Sequence, residues 1–236
     1  MSPPDPLAPL IAAAVHDLLG TLLPLTILLI ALTFVLKALF KGRAGERRVA
    51  RRLRHLGLPC LHDIVTQAED GSLTQIDHLA LTAEGPLAIE TKNFAGSIYG
   101  QQQDQEWTQA QGKAKSRFQN PLRQNFKHTA ALRHQLGIEV RGLVVFVGTA
   151  KFPKGLPEDV VTFADLDRRL KSLGTPSPAQ ITSPAWQAAA RIAEAGTGLH
   201  RTHLVGLRAR YGRDLRAPVG LALAGLAAAI FIAFRL

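Results

Sequence analysis

Apolar residues are concentrated near the two ends of this 236-residue chain, in stretches 18–36 and 217–234 that contain no charged residue. A helix needs about 20 apolar residues to cross a bilayer, so the pattern predicts transmembrane helices at both ends of the protein. The second stretch is shorter and richer in Ala and Gly. A helix packed against the central domain is therefore an alternative for residues 217–234.

Basic residues flank both apolar stretches on the side that faces the centre of the chain. Lys37 is the first Lys or Arg, arginines crowd residues 43–54, and more of them occupy residues 208–216. The positive-inside rule then places the central domain in the cytoplasm and residues 1–17 outside. No Lys or Arg precedes the first stretch, so it lacks the pattern of a secretory signal. The sequence predicts a multi-pass protein of the cell membrane, which in a bacterium is the inner membrane.

Between the apolar stretches, the spacing of apolar residues alternates between helical and strand periods, which predicts an α/β domain at residues 41–173. The expected strands are 61–66, 74–82, 87–92, 143–147 and 160–163, with short strands or loop at 96–100 and 106–108, and the expected helices are 44–56, 120–136 and 165–173. Residues 174–216 are rich in Ser, Thr and Pro at their start, and we expect a linker followed by a helical segment there.

The helix at 120–136 has the clearest boundaries. Asn120-Pro121 is a capping residue followed by a first-turn proline, and Gly137 is a stop signal. Gln124 and His128 are four residues apart and share a face. The residues expected toward the core are Leu122, Phe126, Thr129, Leu132 and Leu136.

Charge and cysteine content narrow the function. The formal net charge is +10, although the mean hydropathy is +0.08, so basic and apolar residues are segregated along the chain. A basic excess fits a polyanionic partner, either nucleic acid or anionic lipid headgroups, and part of it is the charge that orients membrane helices. Cys60 is the single cysteine, which excludes an intrachain disulfide and a CxxC zinc site.

Two carboxylates and a lysine lie near the inner ends of the predicted hairpin of strands 74–82 and 87–92. Glu90 and Lys92 share a face, because side chains alternate along a strand. With a turn centred on Glu84-Gly85, Asp77 lies opposite Lys92 and diagonal to Glu90, with Cα atoms roughly 7–8 Å apart. Carboxylate oxygens at that spacing can meet on one hard cation. A slip of one residue would turn Asp77 away.

A structural role is the alternative for each of these residues. Asp77, Glu90 and Lys92 can form a salt bridge between strands. Glu46 shares the buried face of helix 44–56 and can join the two carboxylates, or it can serve as an N-terminal carboxylate that the helix dipole favours.

An ordered set of short motifs extends over roughly residues 42–170: Gly45-Glu46, Gln75-Ile76-Asp77-His78, Ile89-Glu90-Thr91-Lys92-Asn93, Gly96, Trp107, Asn120-Pro121, Gln124-Asn125 and His128. In these motifs the sequence resembles the nuclease-related domain (NERD), a branch of the PD-(D/E)xK nuclease superfamily. The resemblance implies a restriction-endonuclease-like core, in which helices flank a mixed sheet. It also implies metal-dependent cleavage of phosphodiester bonds.

The resemblance further implies Mg²⁺, or Mn²⁺, as the cofactor, with Asp77, Glu90 and the backbone carbonyl of Thr91 as ligands. Carboxylates, water and phosphate oxygens are the ligands that Mg²⁺ prefers, and a bound metal lowers the pKa of its water. Lys92 would orient or deprotonate the attacking water, or stabilise the developing negative charge. Glu46 would bind the metal directly or through water.

Other polar residues are candidates for contacts with the substrate. Gln75 shares the face of Asp77, and Gln124 begins the helix expected to cross the sheet, although it can equally be a capping or surface amide. Trp107 can stack on a base, but it is expected to pack in the core, and His128 is expected to be structural. A basic run can follow a phosphate backbone or form a solvated surface, and it consists of Lys113, Lys115, Arg117 and Arg123.

These observations predict a membrane-anchored, cytoplasm-facing, metal-dependent nuclease that acts on DNA or, less favoured, on RNA. One alternative is a catalytically silent nucleic-acid-binding module tethered to the membrane. Another is a structural membrane protein whose basic stretches contact only lipid. The sequence has no P-loop, Rossmann glycine pattern or nucleophile elbow that would favour a different enzyme class.

Overall fold

The structure, a computed structural model, describes residues 7–40, 42–211 and 216–234. They fall into two compact units, one of residues 7–40 and 216–234 and one of residues 42–211. The helices are α1 Ala8–Phe40, α2 Arg43–His55, α3 Pro121–Leu136, α4 Leu166–Ser172, α5 Pro178–Ile181, α6 Pro184–Tyr211 and α7 Arg216–Ala233. The strands are β1 Cys60–Gln67, β2 Leu73–Thr82, β3 Gly85–Lys92, β4 Gly96–Tyr99, β5 Glu106–Gln111, β6 Ala114–Gln119, β7 Arg141–Phe146, β8 Ala150–Lys151 and β9 Val160–Thr162.

The smaller unit consists of the apolar helices α1 and α7, which pack side by side. Ala13–Leu36 of α1 is a 24-residue stretch that is long and apolar enough to cross a membrane. The apolar part of α7, Pro218–Ala233, is too short to meet the same length requirement for crossing a membrane. At 1.5 Å per residue it extends roughly 24 Å, less than the hydrocarbon core of about 30 Å. The prediction of transmembrane helices at both ends, and with it the multi-pass topology, is therefore reduced to one candidate helix among the described residues.

The larger unit is built on a five-stranded sheet with the strand order β1-β2-β3-β7-β9. The first three strands are antiparallel, and β3, β7 and β9 are parallel. Side chains of α2 and α4 pack with Leu87 and Ile89 of β3, whereas those of α3 and α6 form a cluster with Ala88. Because neighbouring residues of β3 belong to different clusters, helices cover both faces of the sheet. The predicted fold class is confirmed at this level: a mixed α/β domain whose sheet is flanked by helices.

The hairpin of β2 and β3 forms with a register two residues away from the predicted one. Thr82 pairs with Gly85, so the two-residue turn begins one residue earlier than expected. The Thr82 hydroxyl donates a hydrogen bond to the Gly85 carbonyl at 2.8 Å, which closes the turn at this position. The pairing ends at His78 and Ile89, so the next residues toward the site are Asp77 and Glu90, where the sequence predicted Asp77 and Lys92. A shift of two residues by itself preserves the alternation of faces.

A second sheet has the strand order β6-β5-β4-β8. Strand β6 was not predicted, because most of its side chains are exposed and it lacks an apolar period. Trp107 of β5 is 1% exposed and stacks on Phe146 of β7, with ring centroids 6.2 Å apart and an interplanar angle of 8°. Trp107 therefore joins the two sheets in the core, as expected from the sequence.

Helix α3 begins where the sequence predicts, because the side chain of Asn120 both caps the helix and binds the preceding loop. Its Oδ1 accepts a hydrogen bond from the Leu122 backbone N–H at 2.9 Å, which caps the helix. Its Nδ2 donates to the backbone carbonyls of Gln101, Gln102 and Asp104, which fastens the loop before β5. The helix ends at Leu136, as predicted.

Polar residues set the orientation of α3 on the sheet. Asn125 Nδ2 donates to the carbonyls of Ala88 on β3 and Leu143 on β7, both at 3.2 Å. With Asn125 and His128 buried, Phe126 points outward and is 65% exposed. The expectation that Phe126 faces the core is wrong, because it counted apolar residues while an amide and an imidazole hold the helix against the sheet.

Residues 174–216 were expected to be a linker with a helical segment, and the described part, residues 174–211, forms two helices. Ser177 forms a capping box that starts α5, so the Ser- and Pro-rich stretch serves as helix caps. Helix α6 has 28 residues and buries Trp186 in the same cluster as Leu132. A Cβ at Gly196 would lie 2.3 Å from the Val65 carbonyl oxygen, so α6 crosses β1 in close contact.

Candidate active site

A network of polar side chains forms where the end of β3 meets the first turns of α3. Lys92 Nζ donates to Glu90 Oε1 at 2.7 Å and to Gln124 Oε1 at 2.8 Å. His128 Nε2 lies 3.2 Å from Glu90 Oε2, and its Nδ1 lies 2.8 Å from the Thr74 hydroxyl. Gln124 and His128 are one helical turn apart, so α3 supplies one contact to the lysine and one to the carboxylate.

Asp77 reaches this network through a local break in β2. Ile76 and Leu79, three residues apart, pack in the same apolar cluster, so strict alternation is interrupted between them. On the neighbouring strand Asp63 has a φ of 57°, a left-handed conformation that is uncommon outside glycine. Asp77 Oδ2 accepts a hydrogen bond from the Thr91 backbone N–H at 2.8 Å. A bulge-like distortion, and not the regular pleat, therefore aims Asp77 at β3.

Glu46 joins the site because Gly45 lets α2 approach the end of β3. A Cβ at Gly45 would lie 3.1 Å from Asn93 Cβ and 3.3 Å from Thr91 Cγ2, a distance that few side chains tolerate. Glu46 follows directly in the first turn of α2 and lines the same cavity as Asp77.

The three carboxylates have different electrostatic environments. Burial, followed by the charge of Glu90, raises the pKa of Asp77 well above its ordinary value. Burial and the charge of Asp63 raise the pKa of Glu46. Burial opposes ionisation of Glu90 too, but His128 and Lys92 outweigh it and lower the pKa of Glu90. The positive charge of Lys92 thus mainly stabilises the ionised form of Glu90, and negative charge on Asp77 and Glu46 is poorly compensated.

This set of donors fits a hard divalent cation in its chemistry. Glu90 Oε2 is buried and poorly aligned for a hydrogen bond, and the raised pKa of Asp77 marks a position that positive charge would stabilise. Within residues 7–40, 42–211 and 216–234, no three His, Cys, Asp or Glu side chains are grouped closely enough to hold an ion. Binding by Glu46, Asp77 and Glu90 therefore requires their side chains to turn toward one another.

Comparison with known proteins identifies the domain that carries this site. Residues 41–147 match the family model of the nuclease-related domain. The chain contains a nuclease-related domain. An uncharacterized protein of Bacillus anthracis is 43% identical over 96 residues, which cover 39% of this chain and 45% of that protein. The chain thus spans less than half the length of this relative. No solved structure matches the chain significantly.

The matched range of the nuclease-related domain contains every predicted catalytic residue: Glu46, Asp77, Glu90 and Lys92. A cavity of about 730 Å³ opens beside them, and we name it the acid cavity. Its walls include Glu46, Gln75, Asp77, Gln124, Lys127 and His128. His203 of α6 also lines it, so a helix outside the matched range completes the wall of the nuclease-related domain.

The other predicted site residues lie at different distances from the acid cavity. Gln75 lines it, and its Nε2 donates to Asp63 Oδ1 at 2.6 Å. Thr91 contributes its backbone N–H to Asp77, and the predicted role of its carbonyl as a metal ligand stays a prediction. Arg123 lines a neighbouring groove. Three basic residues are exposed on the hairpin of β5 and β6, outside the lining of the acid cavity, and they are Lys113, Lys115 and Arg117.

Sequence reasoning missed three residues around the acid cavity. His128 was expected to be structural, yet it is 4% exposed and lies against Glu90, and its spacing of four from Gln124 was the available signal. Asp63 lies on an exposed part of β1, where nothing in its sequence neighbourhood distinguishes it. His203 lies 75 residues after His128 in the sequence, so only the packing of α6 brings the two together.

Proposed function

We propose that this chain is a metal-dependent nuclease of the PD-(D/E)xK type that hydrolyses phosphodiester bonds of DNA, or less favoured RNA. The observation that carries the proposal is the position of four residues in one nuclease-related domain: Glu46 and Asp77 line the acid cavity, and Glu90, bonded to Lys92, lies against His128 of its wall. The mixed sheet with helices on both faces supports a restriction-endonuclease-like core.

The charges of these side chains suggest the roles. Asp77, Glu90 and the Thr91 carbonyl would hold Mg²⁺ or Mn²⁺, with Glu46 binding directly or through water. When bound, the ion supplies an acidified water and neutralises phosphate charge. Lys92, which donates a hydrogen bond to Glu90 Oε1 at 2.7 Å, would orient the attacking water or stabilise the developing charge.

Two residues of α3 prepare Lys92 and Glu90 for these roles. Gln124 accepts a hydrogen bond from the Lys92 ammonium at 2.8 Å, so it can retain the lysine when Glu90 turns toward a cation. His128, backed by the Thr74 hydroxyl at 2.8 Å, approaches Glu90 from the opposite oxygen. Both contacts limit the positions that Lys92 and Glu90 can take before a cation binds.

The proposed setting is a membrane anchor formed by α1, with the nuclease-related domain on the cytoplasmic side. The apolar stretch Ala13–Leu36 and the basic residues that follow it support this orientation.

Cys60 provides a direct test of the orientation, because it is the single cysteine and is partly exposed in the larger unit. A membrane-impermeant maleimide should label Cys60 only after the cells are permeabilised. Labelling in intact cells would place the domain outside.

A catalytically silent nucleic-acid-binding module is the second candidate, and one feature favours it. Lys92 Nζ lies 2.7 Å from Glu90 Oε1, in a closed ion pair that occupies a carboxylate needed for the metal. A module of this kind would bind nucleic acid in a salt-sensitive manner without turnover.

Cleavage assays on the full-length protein in detergent separate the two candidates. Labelled DNA and RNA are incubated with Mg²⁺, Mn²⁺ or EDTA. We expect metal-dependent cleavage that falls by about 100-fold or more in Asp77→Asn, Glu90→Gln and Lys92→Met, since each removes a group that acts on the transition state. Asp165→Asn, at the start of α4, is the matched control and should cleave like the wild type. Binding without cleavage under either metal would support the silent module, and equal cleavage by the variants would remove these residues from the mechanism.

A further inference from the structure

An exposed aromatic ring lies on α3 beside the acid cavity. Phe126 is 65% exposed, and Arg133 Cζ lies 5.6 Å from the centre of its ring. The ring belongs to a groove of about 1390 Å³ on the flank of α3, which we name the basic groove. The other large apolar residues of the groove are buried or partly buried: Leu87, Leu122, Val140 and Leu173. Phe126 therefore presents a single ring among polar neighbours and not an apolar patch.

Two exposed cations of α3 lie near this ring. Arg123 is one helical turn before Phe126, and Lys127 is one turn after Arg123, so each pair is adjacent on the surface of the helix. No ion pair of either residue is found in the part of the chain that the structure describes. Four of the five acids in the groove face arginines: Glu84 with Arg141, Glu106 with Arg117, Glu139 with Arg133 and Asp159 with Arg169.

The basic groove and the acid cavity adjoin each other. Gln119 and Lys127 line both of them, and α3 forms the ridge between them. If a nucleic-acid strand crosses α3 with a phosphate on Lys127, its next nucleotides lie on the side of the helix that carries Gln124 and faces Asp77.

We propose that Phe126, Arg123 and Lys127 form a platform for single-stranded nucleic acid, on which an unpaired base stacks beside the acid cavity. The proposal rests on the proposed nuclease function and names its substrate as a strand with unpaired bases. An exposed ring flanked by cations matches a strand, because every base has a π-face and every link carries a negative charge. Duplex DNA covers its base faces by internal stacking, so it leaves Phe126 without a partner. A bilayer would need a broader apolar face than one ring.

Binding measured without divalent metal tests the platform separately from catalysis. The full-length protein in detergent and EDTA is titrated into a fluorescein-labelled oligo-dT of about 15 nucleotides and into a blunt duplex of the same length. Phe126→Ala should weaken oligo-dT binding by about tenfold, equivalent to about 1.4 kcal/mol, and leave duplex binding unchanged. Phe126→Trp should restore it, and Tyr99→Ala, which removes another exposed aromatic ring, should have no effect.

The two cations make a different prediction. Arg123→Gln and Lys127→Gln should weaken binding of both probes, because they contact phosphates and not bases. Each should reduce the slope of log K against log salt by about 0.7 for the single strand.

Several results would overturn the platform. Oligo-dT binding that Phe126→Ala leaves intact, or that falls equally for the duplex, would exclude base stacking. Loss of binding to anionic phospholipid vesicles with unchanged oligo-dT binding would make the ring a membrane contact. If the wild type cleaves with Mg²⁺ but Phe126→Ala binds oligo-dT normally, the platform fails while the nuclease function stands. If the expected binding losses occur and no variant or wild type cleaves, the nuclease function fails while the platform stands.

Discussion

Lys92→Met tests whether the site is held by a buried ion pair between Lys92 and Glu90. The two side chains are 18% and 4% exposed, and Nζ lies 2.7 Å from Oε1. Methionine keeps most of the length of the lysine side chain but cannot donate to Glu90 or Gln124. Glu90 then keeps a buried negative charge beside Asp77 with the compensation of His128 alone.

The magnitude follows from the burial of the pair. Removal of one partner of a buried ion pair costs about 3–5 kcal/mol. His128 still lies 3.2 Å from Glu90, so we expect the lower end, about 3 kcal/mol. In a Glu90→Gln background the same substitution removes an ordinary hydrogen bond, worth about 1 kcal/mol. The difference gives a coupling free energy of about 2 kcal/mol between positions 90 and 92.

Tryptophan fluorescence provides a suitable assay. The chain has two tryptophans, Trp107 and Trp186, and both are buried in the larger unit. Their emission therefore follows unfolding of this unit, without a contribution from α1 or α7. With EDTA present, Lys92→Met should lower the melting temperature by about 6–12 °C. The wild type, both single variants and the double variant complete the cycle.

Additive effects would refute the reasoning. If the destabilisation by Lys92→Met is the same within about 0.5 kcal/mol with Glu or Gln at position 90, the two side chains are not coupled. Gln124 would then be the principal partner of Lys92, and Glu90 would be free to take another partner.

Two further predictions concern the electrostatics of Asp77 and the packing of α6. The folded-state pKa of Asp77 is raised, so the folded protein keeps a proton that the unfolded chain releases, and stability falls as pH rises above the ordinary carboxyl pKa of 3.8. Asp77→Asn should therefore melt at a higher temperature than the wild type at pH 7.5 in EDTA, with the difference vanishing below pH 3.8; a variant that melts lower at pH 7.5 would contradict the assigned pKa. Gly196→Ala should destabilise the domain by about 1–3 kcal/mol, because its Cβ would meet the Val65 carbonyl. Gly198→Ala, with nothing within 4 Å of its Cβ, should stabilise it by about 0.5–1 kcal/mol; equal effects in chemical denaturation would mean that α6 is not seated on β1.

Local sequence signals predicted the elements that surround the site. Asn120 and Pro121 define the start of α3 through a cap and a fixed φ, and Gly137 defines its end, all within a few residues of the boundary. The strands that carry Asp77 and Glu90 were also predictable, because Gly85-Pro86 marks a turn between two β-rich runs, although these two residues themselves begin β3. These features depend on neighbours in sequence, so one chain is enough to reveal them.

The arrangement of side chains within the site depends on contacts between distant segments. The carboxylate of Asp77 replaces a regular strand contact with a hydrogen bond to Thr91, and the distortion involves Asp63 on another strand. The predicted register was two residues away because it assumed a turn centred on Glu84-Gly85, whereas the turn lies between Thr82 and Gly85. The sequence places His128 on the same face as Gln124, but its contact with Glu90 depends on how α3 packs against β3.

Buried polar residues, and not the apolar pattern, set the orientation of α3. Counting apolar residues placed Phe126 toward the core, but Asn125 reaches two carbonyls of the sheet and fixes the rotation of the helix. Likewise, composition suggested a linker after residue 174, whereas Trp186 and Gly196 hold α6 on the sheet. A buried amide and a small residue where a helix crosses a strand determine the packing here, and hydropathy does not predict this role.

Direct binding of Mn²⁺ to the full-length protein is the measurement that most directly tests the central claim, that the carboxylates around the acid cavity form a divalent-metal site. Electron paramagnetic resonance can count bound Mn²⁺ in the wild type, Asp77→Asn, Glu90→Gln and the control Asp165→Asn. We predict binding to the wild type and to Asp165→Asn, and loss of it in the two cavity variants, because carboxylate oxygens are the ligands that such ions require. No binding to the wild type, or undiminished binding to Asp77→Asn and Glu90→Gln, would contradict the account.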